Sequence, residues 1–272
     1  MFAIRQTLSV FVLLALVAPT AHGAAPSERL FAAVDFDPLT EVAEREHPTP
    51  GRMALYESAF MPKRGRFSWS TMNIGLQRFD LAVHDNIQLG ISAVLPIGVL
   101  AVMPEVKVGG EVAEDLHLAV TARFGTLLMP MVGLVLGYGG SAMATYGTPN
   151  LHLTAGVHAY GFTAPINGDG HLWVVHPTLG GVARLANYAV LHMDVGPVLS
   201  PALSNRNTCF DGACPAEPTV RGDMWAIKYG VRFHGDHFFG DVSFVIPTDE
   251  DWLKVAPYLP LGLPALTLGY AF

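Results

Sequence analysis

Leu263-Pro-Ala-Leu-Thr-Leu-Gly-Tyr-Ala-Phe272 closes the chain, with Leu266, Leu268, Tyr270 and Phe272 at every second position and Thr267, Gly269 and Ala271 between them. Successive side chains of a strand point to opposite faces, so a period of two puts the large apolar groups on one side and the small or polar ones on the other. Such a strand needs either a packed core or lipid against its apolar face. The same period runs through residues 87–93, 116–124, 151–159 and 225–234. In Leu116-His-Leu-Ala-Val-Thr-Ala-Arg-Phe124, a helix would scatter His117, Thr121 and Arg123 around its circumference, whereas a strand places all three on one side.

The opposite end of the chain favours lipid. Residues 1–23 carry a basic Arg5, an apolar run from Leu8 to Val17 and the small-x-small site Ala21-His-Gly23. This is the pattern of a secretory signal peptide cut before Ala24. Composition agrees, since 51% of residues are hydrophobic, only 14% are charged and mean hydropathy is +0.36. An ordinary soluble domain is roughly 25% charged. Removal of Arg5, the one charged residue of 1–23, moves the net charge from -7 to -8, and no basic run follows, so nucleic acid is excluded as a partner.

Two uncharged stretches, 87–104 and 124–168, invite a reading as membrane helices, but Pro96, Gly98, Pro130, Gly139, Gly140 and Pro149 interrupt them. A spanning helix needs about 20 continuous apolar residues. Strands are the better fit, near 53–61, 66–82, 87–96, 102–112, 116–126, 130–145, 151–162, 172–184, 187–199, 223–234, 237–246 and 263–272. That makes twelve, or ten if the weak first strand is not real. Short turns at 84–86, 113–115, 147–150, 185–187 and 235–236 alternate with connections that are mostly longer, the order of an up-and-down barrel with tight turns on one side.

With its aromatic last residue, the closing strand resembles that of bacterial outer-membrane β-barrels, and the likeness extends over residues 53–272. It implies an all-β, transmembrane antiparallel barrel in the outer membrane, surrounded by lipid. It also implies insertion by the barrel assembly machinery, with Leu266, Leu268, Tyr270 and Phe272 as the assembly signal. No substrate is implied. Pro264, which cannot donate a ladder hydrogen bond, suggests that the last strand starts at Ala265. Trp69, Tyr138, Tyr160, Phe162, Trp173, Trp225, Tyr229, Phe238 and Tyr270 lie towards strand ends, as interfacial girdles would, although aromatics also favour strands in general.

Alternation places Glu105, Lys107, His117, Arg123, His152, His158, His192, Asp194, Lys228, Arg232 and Asp241 towards the lumen, with Gln88, Ser92, Glu111, Thr121 and Ser243. Such a wall is polar and nearly balanced in charge. It suits either a water-filled pore for small solutes or a network of ion pairs sealing the barrel. Residues 24–52 form an acidic leader, in which Asp37 and Pro38 are placed to start a short helix over 37–47. That leader reads as a periplasmic segment, a lumen plug or a docking segment for another envelope protein. Cys209 and Cys214 share one polar loop, and export makes a local disulfide the expectation.

Function then reads as a passive, porin-like channel or a structural envelope protein, without a cofactor. Eleven histidines invite a metal site, but His152 and His158 are six residues apart on one strand. At about 3.3 Å per residue that is roughly 20 Å, too far to share an ion. His234-Gly-Asp-His237 lies at a turn with no nucleophile near it. Two rivals remain: an outer-membrane lipid hydrolase, for which Ser243 and His192 are the inward pair whose distance depends on register, and a soluble exported β-sandwich or lipid-binding barrel.

Overall fold

A computed structural model of the protein describes residues 57–73, 75–94, 100–129, 133–164, 170–201, 220–248, 259 and 261–272. The expected signal peptide, the leader over 24–52, Cys209 and Cys214 lie outside the described residues. Twelve strands form in chain order: β1 Phe67–Met72, β2 Leu76–His84, β3 Ile87–Val94, β4 Leu100–Ala113, β5 Leu116–Met129, β6 Gly133–Thr148, β7 Leu151–Ala164, β8 Gly170–Ala186, β9 Ala189–Pro201, β10 Val220–His234, β11 Phe238–Pro247 and β12 Leu263–Ala271. Each pairs antiparallel with the next, and β12 pairs with β1, so the sheet is a closed up-and-down barrel. In their described residues the two uncharged stretches are strands and the turn between β6 and β7, and among the described residues no helix is long and apolar enough to cross a membrane.

Twelve is the expected number, reached by a different route. The expected strand over 53–61 is absent from the sheet in its described part, 57–61, and the expected strand over 66–82 is two strands, β1 and β2. Asn73 breaks it. Its φ of 48° is left-handed, which Asn tolerates better than most residues, and Gly75 follows to complete the reversal. Two-residue turns, or three at 235–237, then join every even strand to the next, and all of them fall at one end of the barrel.

Outward positions are apolar around the whole circumference. Ile91, Val106, Val120, Val157, Leu191, Val242 and Leu268 are all more than a third exposed, Val120 by 60%. Water would not tolerate such a belt, and hydrocarbon suits it. Aromatics flank it at both ends: Tyr188, Phe233, Phe238, Tyr270 and Phe272 at the short-turn end, and Phe124, Tyr138, Trp173 and Trp225 towards the other. Tyr160 departs from the expected girdle. Its hydroxyl accepts from Arg123 in the lumen, so it points inward.

The seam between β1 and β12 is short, with five residue pairs from Ser68↔Ala271 to Met72↔Thr267, against fourteen between β5 and β6. Main-chain bonds extend it, Phe272 donating to Phe67 O at 2.8 Å and Asn73 to Leu266 O at 2.8 Å. The Asn73 side chain accepts from Leu266 N at 2.8 Å. Phe67 and Phe272 pack at a tilt across the short-turn end, ring centroids 5.6 Å apart.

Pro264 lies within β12, opposite Phe244, where Ala265 was the expected start. Alternate residues of a strand address the same neighbour, so Pro264 faces the side that Leu266 shares with Asn73. There β1 has already ended, and a missing donor leaves nothing unpaired.

At the seam the lumen side is full. Gly269 opposes Phe239, which is wholly buried, and a Cβ on Gly269 would enter that ring and lie 2.7 Å from Trp69 O. Gly269→Val is therefore expected to destabilise the barrel by about 1–3 kcal/mol or more. Outward-facing Gly240, where a Cβ meets nothing closer than 3.5 Å, should accept Ala without loss. The temperature at which the compact, heat-modifiable gel band disappears measures both, and equal temperatures for the two variants would refute the argument.

Candidate functional site

Residues 57–60, ahead of β1, lie inside the barrel lumen. Glu57, Ser58, Ala59 and Phe60 are each no more than 4% exposed. Glu57 lies level with the middle of β4 and β5, and Phe60 lies near the short-turn end, so the chain descends through the lumen before entering β1. Main-chain groups of this segment find partners on the wall. Ala59 N donates to Thr145 Oγ1 at 2.8 Å, and Thr145 is paired in turn with Thr154 at 2.8 Å. Lys107 Nζ donates to Ser58 O at 2.8 Å and Phe60 O at 3.1 Å. Below, Ala59 packs against Ala119 and Met143. The Phe60 ring lies 4.6 Å from that of His117 and 5.0 Å, edge-on, from that of His152.

Glu57 carries the charge. Its Oε1 receives Arg78 Nη1 at 2.5 Å and Arg123 Nη2 at 3.0 Å, while Lys107 Nζ lies 3.6 Å from Oε2. The wall holds these guanidinium groups by their other nitrogens. Arg78 Nε donates to both oxygens of Asp80 at 3.0 Å, and its Nη2 bonds Glu105 Oε1 at 2.7 Å. Arg123 donates through Nε to Glu105 Oε2 and through Nη1 to Tyr160 Oη at 2.9 Å. Register brings the group together, because Asp80, Gly90, Glu105, Arg123, Gly139 and Tyr160 lie in one row across the sheet. Gly90 must be small, since a Cβ there would stand 2.7 Å from Asp80 Oδ1.

A second group occupies the opposite wall. Arg232 Nε and Nη2 both bond Asp241 Oδ2, at 3.1 and 3.0 Å, and His192 Nε2 lies 3.2 Å from the same oxygen. Lys228 faces Asp194 in register, 2% and 3% exposed. His158 faces His176, its Nε2 3.2 Å from Thr178 Oγ1, and His176 Nδ1 pairs with Pro197 O at 2.8 Å. His152 Nδ1 pairs with Thr148 O at 3.1 Å. Among the described residues no group of three or more His, Cys, Asp and Glu side chains is placed to hold a metal ion.

Ser243 and His192 both flank Gly230, in adjoining strands of one row. Two strand spacings of about 4.8 Å separate them. The Ser243 hydroxyl donates to Ala265 O at 3.2 Å, and Ser243 is 1% exposed on the lumen side. The exposed apolar belt lies on the other face of that strand. Alternation in the sequence indicates which wall residues face inward, but Glu57, Arg78 and Asp80 did not stand out. Glu57 was part of an expected strand, and Arg78 and Asp80 sat within an unbroken one.

No protein-family model matches the chain, and comparison with curated proteins finds no match. Among solved structures, it is similar to the NanC porin in a rhombohedral crystal form, at 6% identity and TM-score 0.44 over 76% of this chain and 98% of that one. A monoaromatic hydrocarbon channel, CymD, gives 8% identity and TM-score 0.35 over 77% and 87%. The translocator domain of the autotransporter NalP from Neisseria meningitidis gives 10% and 0.34 over 76% and 86%.

Lys107 ties the segment to the wall, so Lys107→Met should loosen it while keeping the volume of the side chain. Ser58 is wholly buried, and a cysteine placed there in a Cys209→Ser/Cys214→Ser background should be inert to a charged maleimide. Adding Lys107→Met should raise its labelling rate at least about tenfold, because breaking a buried charge contact costs several kcal/mol. An unchanged rate would mean that Lys107 does not hold the segment.

Proposed function

We propose that this protein is a porin-like channel of the bacterial outer membrane, and that residues 57–60 are its gate. The observation that carries the reading is that part of the lumen filling is a chain segment rather than wall side chains. A barrel of eight strands is filled by its own wall, and one of sixteen leaves a channel. At twelve, the wall reaches part of the way, and the buried Glu57 segment adds to the filling. Gly65 and Arg66 are main-chain bonded to Ala82, and residues 61–63 between them and the segment belong to none of the twelve strands, so the segment can leave without unpairing any of them.

Location follows from the same features. Residues 1–23 act as a cleaved signal peptide, and the barrel assembly machinery takes up the chain through Leu266, Leu268, Tyr270 and Phe272. All four project outward from the last strand and are more than a third exposed. Lipid hydrolysis is the weaker reading, because Ser243 and His192 face the lumen, behind the strands that lipid touches.

Single-channel recording in planar bilayers tests the gate. The full mature chain should be silent or flicker briefly. Glu57→Gln/Phe60→Ala, which removes the charge anchor and the aromatic stop, should give long openings and raise mean current at least about tenfold, the effect of weakening the closed state by about 1.4 kcal/mol or more. Silence in a variant that retains the heat-modifiable band would overturn the channel reading. Steady current in the unaltered chain would overturn the gate.

A further inference from the structure

The charges around Glu57 do not balance on the wall alone. Three cations, Arg78, Lys107 and Arg123, face two wall carboxylates, Asp80 and Glu105, and the third negative charge belongs to the segment. Once Glu57 leaves, the lumen wall holds an uncompensated positive charge in a poorly hydrated place, which is costly unless another anion arrives. We infer that Arg78, Lys107 and Arg123 form a binding site for the carboxylate of a passing solute, and that Glu57 occupies it as a tethered competitor. The inference rests on the channel reading and names the substrate class of that channel.

The donor geometry suits a carboxylate. Each arginine spends part of its fork on the wall and leaves one terminal nitrogen for Glu57, Nη1 of Arg78 and Nη2 of Arg123. Those two nitrogens converge on a single carboxylate oxygen, and Lys107 Nζ lies beside the second at 3.6 Å. The wall carboxylates keep the guanidinium groups in place when the site empties, so the site is largely formed before a solute enters. Planar forks of this kind favour a carboxylate over a spherical anion.

What surrounds the carboxylate narrows the class further. Lys107 also donates to the carbonyls of Ser58 and Phe60, and Thr145 accepts an amide N–H from Ala59. The present occupant is thus an acid flanked by amide groups. A solute that replaces it best has the same make-up: an N-acylated acidic amino acid or a short acidic peptide.

Current through the Glu57→Gln/Phe60→Ala protein, with N-acetylglutamate or its uncharged diamide (both carboxylates amidated) added, tests this. N-acetylglutamate should block the current at concentrations where the diamide does nothing. Adding Arg123→Met should weaken the block at least about tenfold, the size of one lost charge-assisted hydrogen bond. If that variant does not assemble, Arg123→Lys should give a smaller weakening. Equal block by both compounds, or block that survives loss of Arg123, would overturn the site while the channel reading stands. If no variant conducts, the channel reading falls, and calorimetric titration of N-acetylglutamate into the detergent-solubilised proteins decides the site alone. Binding to Glu57→Gln/Phe60→Ala but not to the unaltered chain upholds it, and equal heats in the two overturn it.

Discussion

Closure of the sheet between β1 and β12 is the constraint on which the rest of the structure depends. In hydrocarbon an unpaired main-chain N–H or C=O has no water to turn to, so a spanning sheet cannot leave an edge. The chain meets this with a modest seam of five residue pairs, lengthened by main-chain bonds from Phe272 and Asn73 and by the Asn73 side chain. Once closed, the strand number fixes the circumference and with it the width of the lumen. The lumen is thus imposed by the hydrogen-bonding needs of the wall, and whatever fills it answers to a space already set.

Filling that space raises a second demand. Lys107 and Lys228 are almost fully buried, and such charges are tolerated only with partners close by. Lys107 takes them from the Glu57 segment, while strand register pairs Arg232 with Asp241 and Arg123 with Glu105 and sets Asp194 across from Lys228. Cross-strand pairs of opposite charge are the cheapest arrangement a sheet can make, because both members are held by main-chain bonds before they meet. Small residues complete it: Gly90 leaves room for Asp80 beside Glu105.

Much of the fold is written in the sequence at short range. Alternation in 116–124 or 263–272 requires only neighbouring residues, and turns such as Glu114-Asp115 carry their own residue preferences. Failure came where a long-range condition decided. Residues 66–82 alternate well enough to pass for one strand, and only Asn73 and Gly75 signal the reversal within it. In 53–61 the apolar and polar residues suit a strand, yet Ser58, Ala59 and Phe60 answer to Lys107, Thr145 and His117, which are 49 to 86 positions away and invisible to any local pattern. The candidate site shares that limit. Which wall residues face inward is a matter of parity, but which of them meet depends on register across several strands, and so the grouping of Arg78, Glu105 and Arg123 around Glu57 had no signal in the chain.

The two halves of the lumen differ in what binds them. Around Asp241 every partner belongs to a wall strand, and separating them would require the sheet itself to move. Around Glu57 one partner belongs to a segment that meets the barrel at Gly65 and Arg66, both main-chain bonded to Ala82, and at Arg64, whose N–H bonds Asp85. The hinge is therefore residues 61–63, which reach at most about 10 Å when extended. Phe60 already lies near the short turns, so this lets it swing past them and draw Glu57 after it while Phe67 stays packed against Phe272. Opening on this route breaks the contacts of Glu57, Lys107 and Thr145 with the segment and leaves every ladder bond in place. The energy it must overcome is local, while closure of the sheet holds the wall ready for the segment to return.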